Sequence, residues 1–265
     1  MTNVLIPTDF SEYSLNAIRY AMEYLREESV NFFILHVIPD DQLNGFSGNT
    51  PFEDQVLRKL IAEGIVFNKD HRFFPVKETA SLVESVRKQV DDKKIDLIVM
   101  GTKGITRSPE GSVSSHTYEV ITKVKCPILV VPEHAVFNEQ SNISFVTDYN
   151  CIYRNEVLDT LSKTLKLHNS SLRVLKPRVK NRPLTAGQID NKGFIHYFFR
   201  DRDHSFHFLE KENLEEGIQD FVDTYKIKMV AIPARNLNFI QKLMLRFSSE
   251  KINYHTVVPF LVIHE

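Results

Sequence analysis

Apolar residues along this chain gather in short unbroken runs, and the segments between those runs place apolar side chains every three or four positions. Val4–Pro7, Phe32–Ile38, His71–Val76, Ile95–Met100 and Ile128–Val131 read as strands. The first intervening segment puts Leu15, Ile18, Met22 and Leu25 on one helical face, with Ser11 placed to cap its start. A second helix is expected over Phe52–Val66, with Val56, Leu57, Leu60 and Ile61 as its buried stripe. A third is expected around Leu82, Val83, Val86 and Val90, and a short fourth over Ser115–Val124. Asp40–Thr50, with Gly45 and Gly48, reads as a loop. Continuous apolar strands that alternate with amphipathic helices argue for a parallel sheet covered on both faces. In such doubly wound folds, ligands bind beyond the carboxyl ends of the strands, and Asp9 and the Gly101–Gly104 loop both sit there.

The pattern then repeats. Lys94–Gly104 (KIDLIVMGTKG) returns as Lys226–Asn236 (KIKMVAIPARN), and Gly101 and Pro233 each lie 26 residues before a proline, Pro127 and Pro259. The offset is 132 residues at both points. Val4–Ser11 is echoed by Ile143–Asn150. The chain is therefore read as a duplicated unit, residues 1–134 and 143–265, joined by a polar linker over Glu133–Asn142. In the second copy a strand (Ile143–Val146), a helix near Glu156–Leu167 and a strand (Leu172–Leu175) repeat the order. After them Pro177–Lys192 reads as irregular, with no counterpart of the second helix. Phe194–Phe199 and His204–Leu209 read as two aromatic strands, Leu214–Tyr225 as a helix, and Lys228–Ile232 as a strand. Ser248–His255 reads as the last helix and Phe260–Ile263 as the last strand.

Composition narrows the function classes. At 265 residues, each copy is long enough to bury its own core. Thirty-three Lys+Arg against thirty-four Asp+Glu leave a net charge of −1, which argues against nucleic acid as a partner. No apolar run is long enough to span a bilayer, and the opening MTNVLIPTDF lacks the pattern of a secretory signal. Two cysteines, Cys126 and Cys151, outside any CxxC, fit an unbridged protein in a reducing cytoplasm. There is no G-x-S-x-G elbow and no complete P-loop. His204 and His207 are three apart on an expected strand, so they face opposite ways and make a poor metal pair. No catalytic or metal-binding residue is assigned.

Gly101-Thr-Lys-Gly104 lies between a strand and a Ser/Thr-rich helix start, and glycines followed by free helix N–H groups make an anion cradle. Ser114, Ser115 and Thr117 add hydroxyl donors. On VLIPTDFSEYSLNAIRYA, FFILHVIP, KKIDLIVMGTKG and VITKVKCPILVVP, with FVTDY and YHTVVPFLVIHE in the second copy, the chain resembles the universal stress protein family in its tandem form. The resemblance implies two five-stranded domains of the adenine nucleotide alpha hydrolase-like fold, the second divergent. It also implies a stress-response role in signalling or protection rather than rapid catalysis, with ATP, and magnesium accompanying it, in the first domain. Nucleotide-binding members carry Gly-x2-Gly-x9-Gly-(Ser/Thr), an Asp after the first strand and a Val after the second. Carried over, these positions are Pro7, Asp9, Val37, Met100, Gly101 and Gly104.

The third glycine departs from the pattern. An ungapped register puts Ser114 there, followed by Ser115-His116-Thr117, whereas Gly111-Ser112 offers a shifted alternative. Arg107 is either a phosphate clamp or a solvated side chain. In the second copy Pro233 replaces Gly101, Asn236 replaces Gly104 and Arg246-Phe247 replaces Ser114-Ser115, so that half is expected to hold no nucleotide. The resemblance implies self-association of sheets through the last strand of each copy. A ligand-free interaction scaffold is the alternative reading.

Overall fold

The computed structural model describes residues 1–38, 52–65, 68–102, 115–138, 142–150, 155–177, 183–209, 214–235 and 257–264. The chain divides into two units, Met1–Phe137 and Asn138–Glu265. In the first, five parallel strands run in the order β3-β2-β1-β4-β5: β1 (Thr2–Pro7), β2 (Val30–Val37), β3 (His71–Glu78), β4 (Leu97–Thr102) and β5 (Ile128–Pro132). The crossovers carry α1 (Glu12–Tyr24), α2 (Phe52–Ala62), α3 (Leu82–Lys93) and α4 (Ser115–Lys123). Val4, Leu5 and Ile6 are wholly buried because helices cover both faces of the central strand. Leu15, Ile18, Met22 and Leu25 are the buried stripe of α1 and its C-cap.

The second unit has the same parallel order, β10-β9-β6-β7-β8, from β6 (Asn142–Val146), β7 (Ser171–Pro177), β8 (His204–Leu209), β9 (Met229–Pro233) and β10 (Phe260–Ile263). Its helices are α5 (Asn155–Leu167), α6 (Ala186–Phe198) and α7 (Leu214–Tyr225). The duplication extends to backbone detail. Phe10 and Tyr149 adopt left-handed φ angles of 61° and 59°, and each donates its N–H to the hydroxyl of the threonine two residues earlier. Lys94 and Lys226 repeat the feature at 50° and 49°, each before a residue whose N–H reaches the preceding helix. Side chains other than glycine tolerate this conformation at a cost of about 1 kcal/mol, so its recurrence at matched places marks two copies of one design.

Several expectations are corrected. Phe194–Phe199 is not a strand, and a counterpart of the second helix does exist: α6 covers Ala186–Phe198. Aromatic residues favour strands by propensity, but here Ile195 and Phe199, four apart, are buried while Tyr197 is exposed, which is a helical period. Thr185 and Gln188 form a complete capping box at its start. Helix α2 stops at Ala62, where Gly64 takes a φ of +74° and Ile65 donates back to the Leu60 carbonyl. Ile61, turned about 100° from the buried Leu60, faces solvent at 58% exposure rather than joining the stripe. Ser11 occupies the N-cap of α1, yet its hydroxyl turns to Asp9 instead of capping.

The expected linker begins inside the first unit. The Asn16 amide donates to the carbonyls of Pro132, Glu133 and Ala135, and Phe137 packs edge-on against Tyr20 and Tyr24. The loop expected over Asp40–Thr50 and the helix over Ser248–His255 lie outside the described residues. No helix among the described residues is long and apolar enough to cross a membrane.

Tyr149 is wholly buried, and its hydroxyl has no hydrogen-bond partner among the described residues. Desolvation pushes that phenol above its ordinary pKa. An unsatisfied buried hydroxyl costs about 1–3 kcal/mol. Tyr149→Phe is therefore expected to raise the unfolding free energy by about 1 kcal/mol in a denaturant titration, and a loss of stability would show that the hydroxyl is satisfied.

Candidate functional site

Strand order reverses between β1 and β4, and the residues at the carboxyl ends of β1, β2, β3 and β4 surround a cavity of about 710 Å³ in the first unit. Pro7 ends β1, and the turn after it is built from its own side chains. Thr8 donates its N–H to the Leu35 carbonyl at 2.8 Å, and its carbonyl accepts from His36 Nδ1 at 2.8 Å. The Thr8 and Ser14 hydroxyls bond at 2.9 Å. Asp9 Oδ1 accepts from the Ser11 N–H at 3.0 Å and from the Ser11 hydroxyl, closing an Asx turn into α1. Partial burial pushes the Asp9 carboxyl up, but hydrogen bonds from Ser11 and Ser14 outweigh it and hold the pKa below the ordinary value. The charged form therefore supports the fold fully above the usual carboxyl range. That support is lost as pH falls through the lower folded value.

Gly101 is where α1 meets β4. A Cβ there would overlap the Tyr13 carbonyl oxygen and sit 2.6 Å from its carbon and 3.0 Å from the Ser14 nitrogen. The glycine thus has a packing reason of its own: it lets the first turn of α1 rest on the end of the strand. Val37 closes the end of β2, and Met100 the β4 wall. From the far side come Thr79, Ala80, Ser81, Leu82 and Val83, the link from β3 into α3. Ser81 caps that helix in a reciprocal box with Glu84, and Glu78 is held by Lys88 at 2.9 Å and Gln89 at 2.7 Å. Helix α4 supplies His116, the buried Thr117, Glu119 and Lys123. Arg87 fixes its end by donating Nε and Nη2 to the Lys123 carbonyl at 2.8 and 2.6 Å.

Of the residues singled out in the sequence, Pro7, Asp9, Val37, Met100, Gly101 and Thr117 all line this cavity. Ser115 opens α4, whereas Gly104, Ser114 and the alternative Gly111-Ser112 lie outside the described residues. Sequence reasoning missed Thr8, Tyr13, Ser14 and the Thr79–Val83 link. The Ser81-x-x-Glu84 capping signal was available to place a helix start there.

The equivalent turn of the second unit is closed on itself. Asn150 engages both Asp148 oxygens, through its N–H at 2.9 Å and its side-chain amide at 2.8 Å. From α6, Gln188 donates to the Asp148 carbonyl at 3.0 Å and to Asn150 Oδ1 at 2.8 Å, and Asn191 donates to the Tyr149 carbonyl at 2.7 Å. Pro233 ends β9 where Gly101 stands in β4. Gly101→Ala is expected to destabilise the protein by about 1–3 kcal/mol without any ligand, the usual cost of overpacking. A thermal melt without nucleotide checks this, and an unchanged midpoint would show that the helix can yield.

Residues 1–132 match the Universal stress protein family. Two universal stress proteins of Methanocaldococcus jannaschii align at 29% identity over 136 residues and 28% over 150 residues. Each alignment takes in 48% of this chain, and 80% and 93% of the respective relatives. A universal stress protein structure from Archaeoglobus fulgidus DSM 4304 matches with a TM-score of 0.64 at 15% identity, over 99% of this chain and 98% of that one. A putative universal stress protein from Pseudomonas aeruginosa UCBPP-PA14 gives 0.56 at 11%, over 100% and 93%. The cytoplasmic domain of a prokaryotic cation chloride cotransporter gives 0.53 at 11%, over 98% and 94%. At these identities the structural likeness is one of fold alone. The sequence matches and the strand order agree, and through its first unit the chain belongs to the universal stress protein family, with a second unit of the same topology following it.

Proposed function

We propose that the first unit holds an adenine nucleotide in its cavity and that this stress-response protein works by carrying ATP, not by turning it over rapidly. The observation that carries the reading is the convergence of Pro7, Asp9, Val37, Met100, Gly101 and Thr117 on one cavity of about 710 Å³, within the range for small-molecule sites. Pro7, Val37 and Met100 offer apolar surface to a base, and the Asp9 carboxylate offers acceptors to ribose hydroxyls. Gly104, Ser114, Ser115 and Thr117 are assigned to the phosphates on the sequence pattern, with magnesium entering on the phosphate oxygens. Ser14, in the first turn of α1, is tied to Thr8 and to the Ser11 carbonyl, so it is not poised as a nucleophile. The second unit is proposed to hold no nucleotide, because its own α6 side chains occupy the polar groups of the equivalent turn.

A ligand-free scaffold is the second reading. It is favoured by the packing role of Gly101, which accounts for the glycine with no phosphate present. Mass spectrometry of small molecules released from the purified chain separates the two, together with melting in the presence of ATP. Nucleotide binding predicts released adenine nucleotide or an ATP-dependent rise in the melting midpoint, reduced by Asp9→Ala. Absence of both supports the scaffold.

A further inference from the structure

From the distances on β8 and α6 we infer that the second unit carries a transition-metal site formed by His196 and His204. His196 Nδ1, in the last turn of α6, lies 2.8 Å from His204 Nε2, at the start of the edge strand β8. His204 Nδ1 lies 2.8 Å from the Arg202 carbonyl, which can only accept, so that nitrogen carries a proton. In the neutral ring the lone pair is then on Nε2, aimed at His196, and one proton lies between the two rings.

This is the arrangement of a histidine ligand held by an outer carbonyl, which fixes tautomer and ring direction before any ion arrives. Arg202 donates its N–H to the Phe199 carbonyl at 2.9 Å, its Nη1 lies 3.4 and 3.5 Å from the Leu165 and Ser170 carbonyls, and the His204 ring meets Phe206 edge-on. Two imidazole nitrogens about 2.0 Å from a tetrahedral ion would stand about 3.3 Å apart. Opening the pair by half an ångström takes only a small rotation of the exposed His196 ring.

The ion takes the place of the shared proton. His196 gives up its Nδ1 proton and regains one from water on Nε2, so the ring stays neutral and no net proton is released. His204 keeps Nδ1–H on the Arg202 carbonyl. Among the described residues no third His, Cys, Asp or Glu completes the set, so water fills the remaining positions. With nitrogen ligands and no carboxylate, the site selects Cu²⁺, Ni²⁺ or Zn²⁺ over Mg²⁺ and Ca²⁺. The nearby cations are already engaged: Arg173 pairs with Asp203 at 2.8 Å, and Lys192 lies over the Phe206 ring at 4.9 Å.

The test is titration of the full chain with Zn²⁺ and Cu²⁺, followed by calorimetry and by ¹⁵N NMR of the imidazole nitrogens. One ion per chain is expected at this pair. His196→Ala and His204→Ala should each weaken it by at least about tenfold, and the exposed His134→Ala should leave it unchanged. In the wild-type spectrum the metal should move His196 Nδ1 and His204 Nε2 and leave His207 in place, a readout that does not depend on the variants folding. Retained affinity in both variants, or ring signals of this pair that ignore the metal, would overturn the assignment.

Discussion

The first turn of α1 rests directly on the backbone of β4 at Gly101, and the rest of the first unit's chemistry is arranged around that contact. Because no side chain separates the two, Tyr13 and Ser14 stand at the cavity wall. The turn from Pro7 to Ser11 must fold tightly enough to bring them there. The left-handed Phe10, the Asx turn at Asp9 and the Thr8–Ser14 bond are the means by which it does so. Asp9 is presented at the cavity as a consequence of helix packing, with its charge stabilised by the same hydrogen bonds that build the turn.

The second unit keeps the strand order and the strained turn but answers the packing problem differently. Proline replaces the glycine at the end of β9. Helix α6 reaches over the turn with Gln188 and Asn191, and Asn150 engages both carboxylate oxygens. Groups that stay at a cavity in one copy are consumed internally in the other. A duplicated scaffold has thus become two unlike halves, with a histidine pair at the edge of the second that the first does not share.

Much of this was legible in the chain. The strands announced themselves because buried parallel strands are continuously apolar, and the repeat spacing of 132 residues placed the second copy. Asp9 and Gly101 could be assigned because they stand at or just past strand ends. What failed was the aromatic stretch at Phe194–Phe199, because aromatic residues favour strands and the helical period there shows in only two buried positions, Ile195 and Phe199. The role of Gly101 was half legible: a glycine at a strand end suggests close approach, but only coordinates show that the approaching group is a helix. The pairing of His196 with His204 was hidden because the two residues lie on different element types, and spacing rules apply only within one.

The central claim is that one nucleotide sits in the first unit and none in the second. Equilibrium dialysis of ATP against the full chain tests it directly, with Val37→Trp as the variant that fills the cavity while leaving the Gly101 contact intact. The account predicts one ATP per wild-type chain and none for the variant. No binding, two per chain, or binding indifferent to the tryptophan would contradict it.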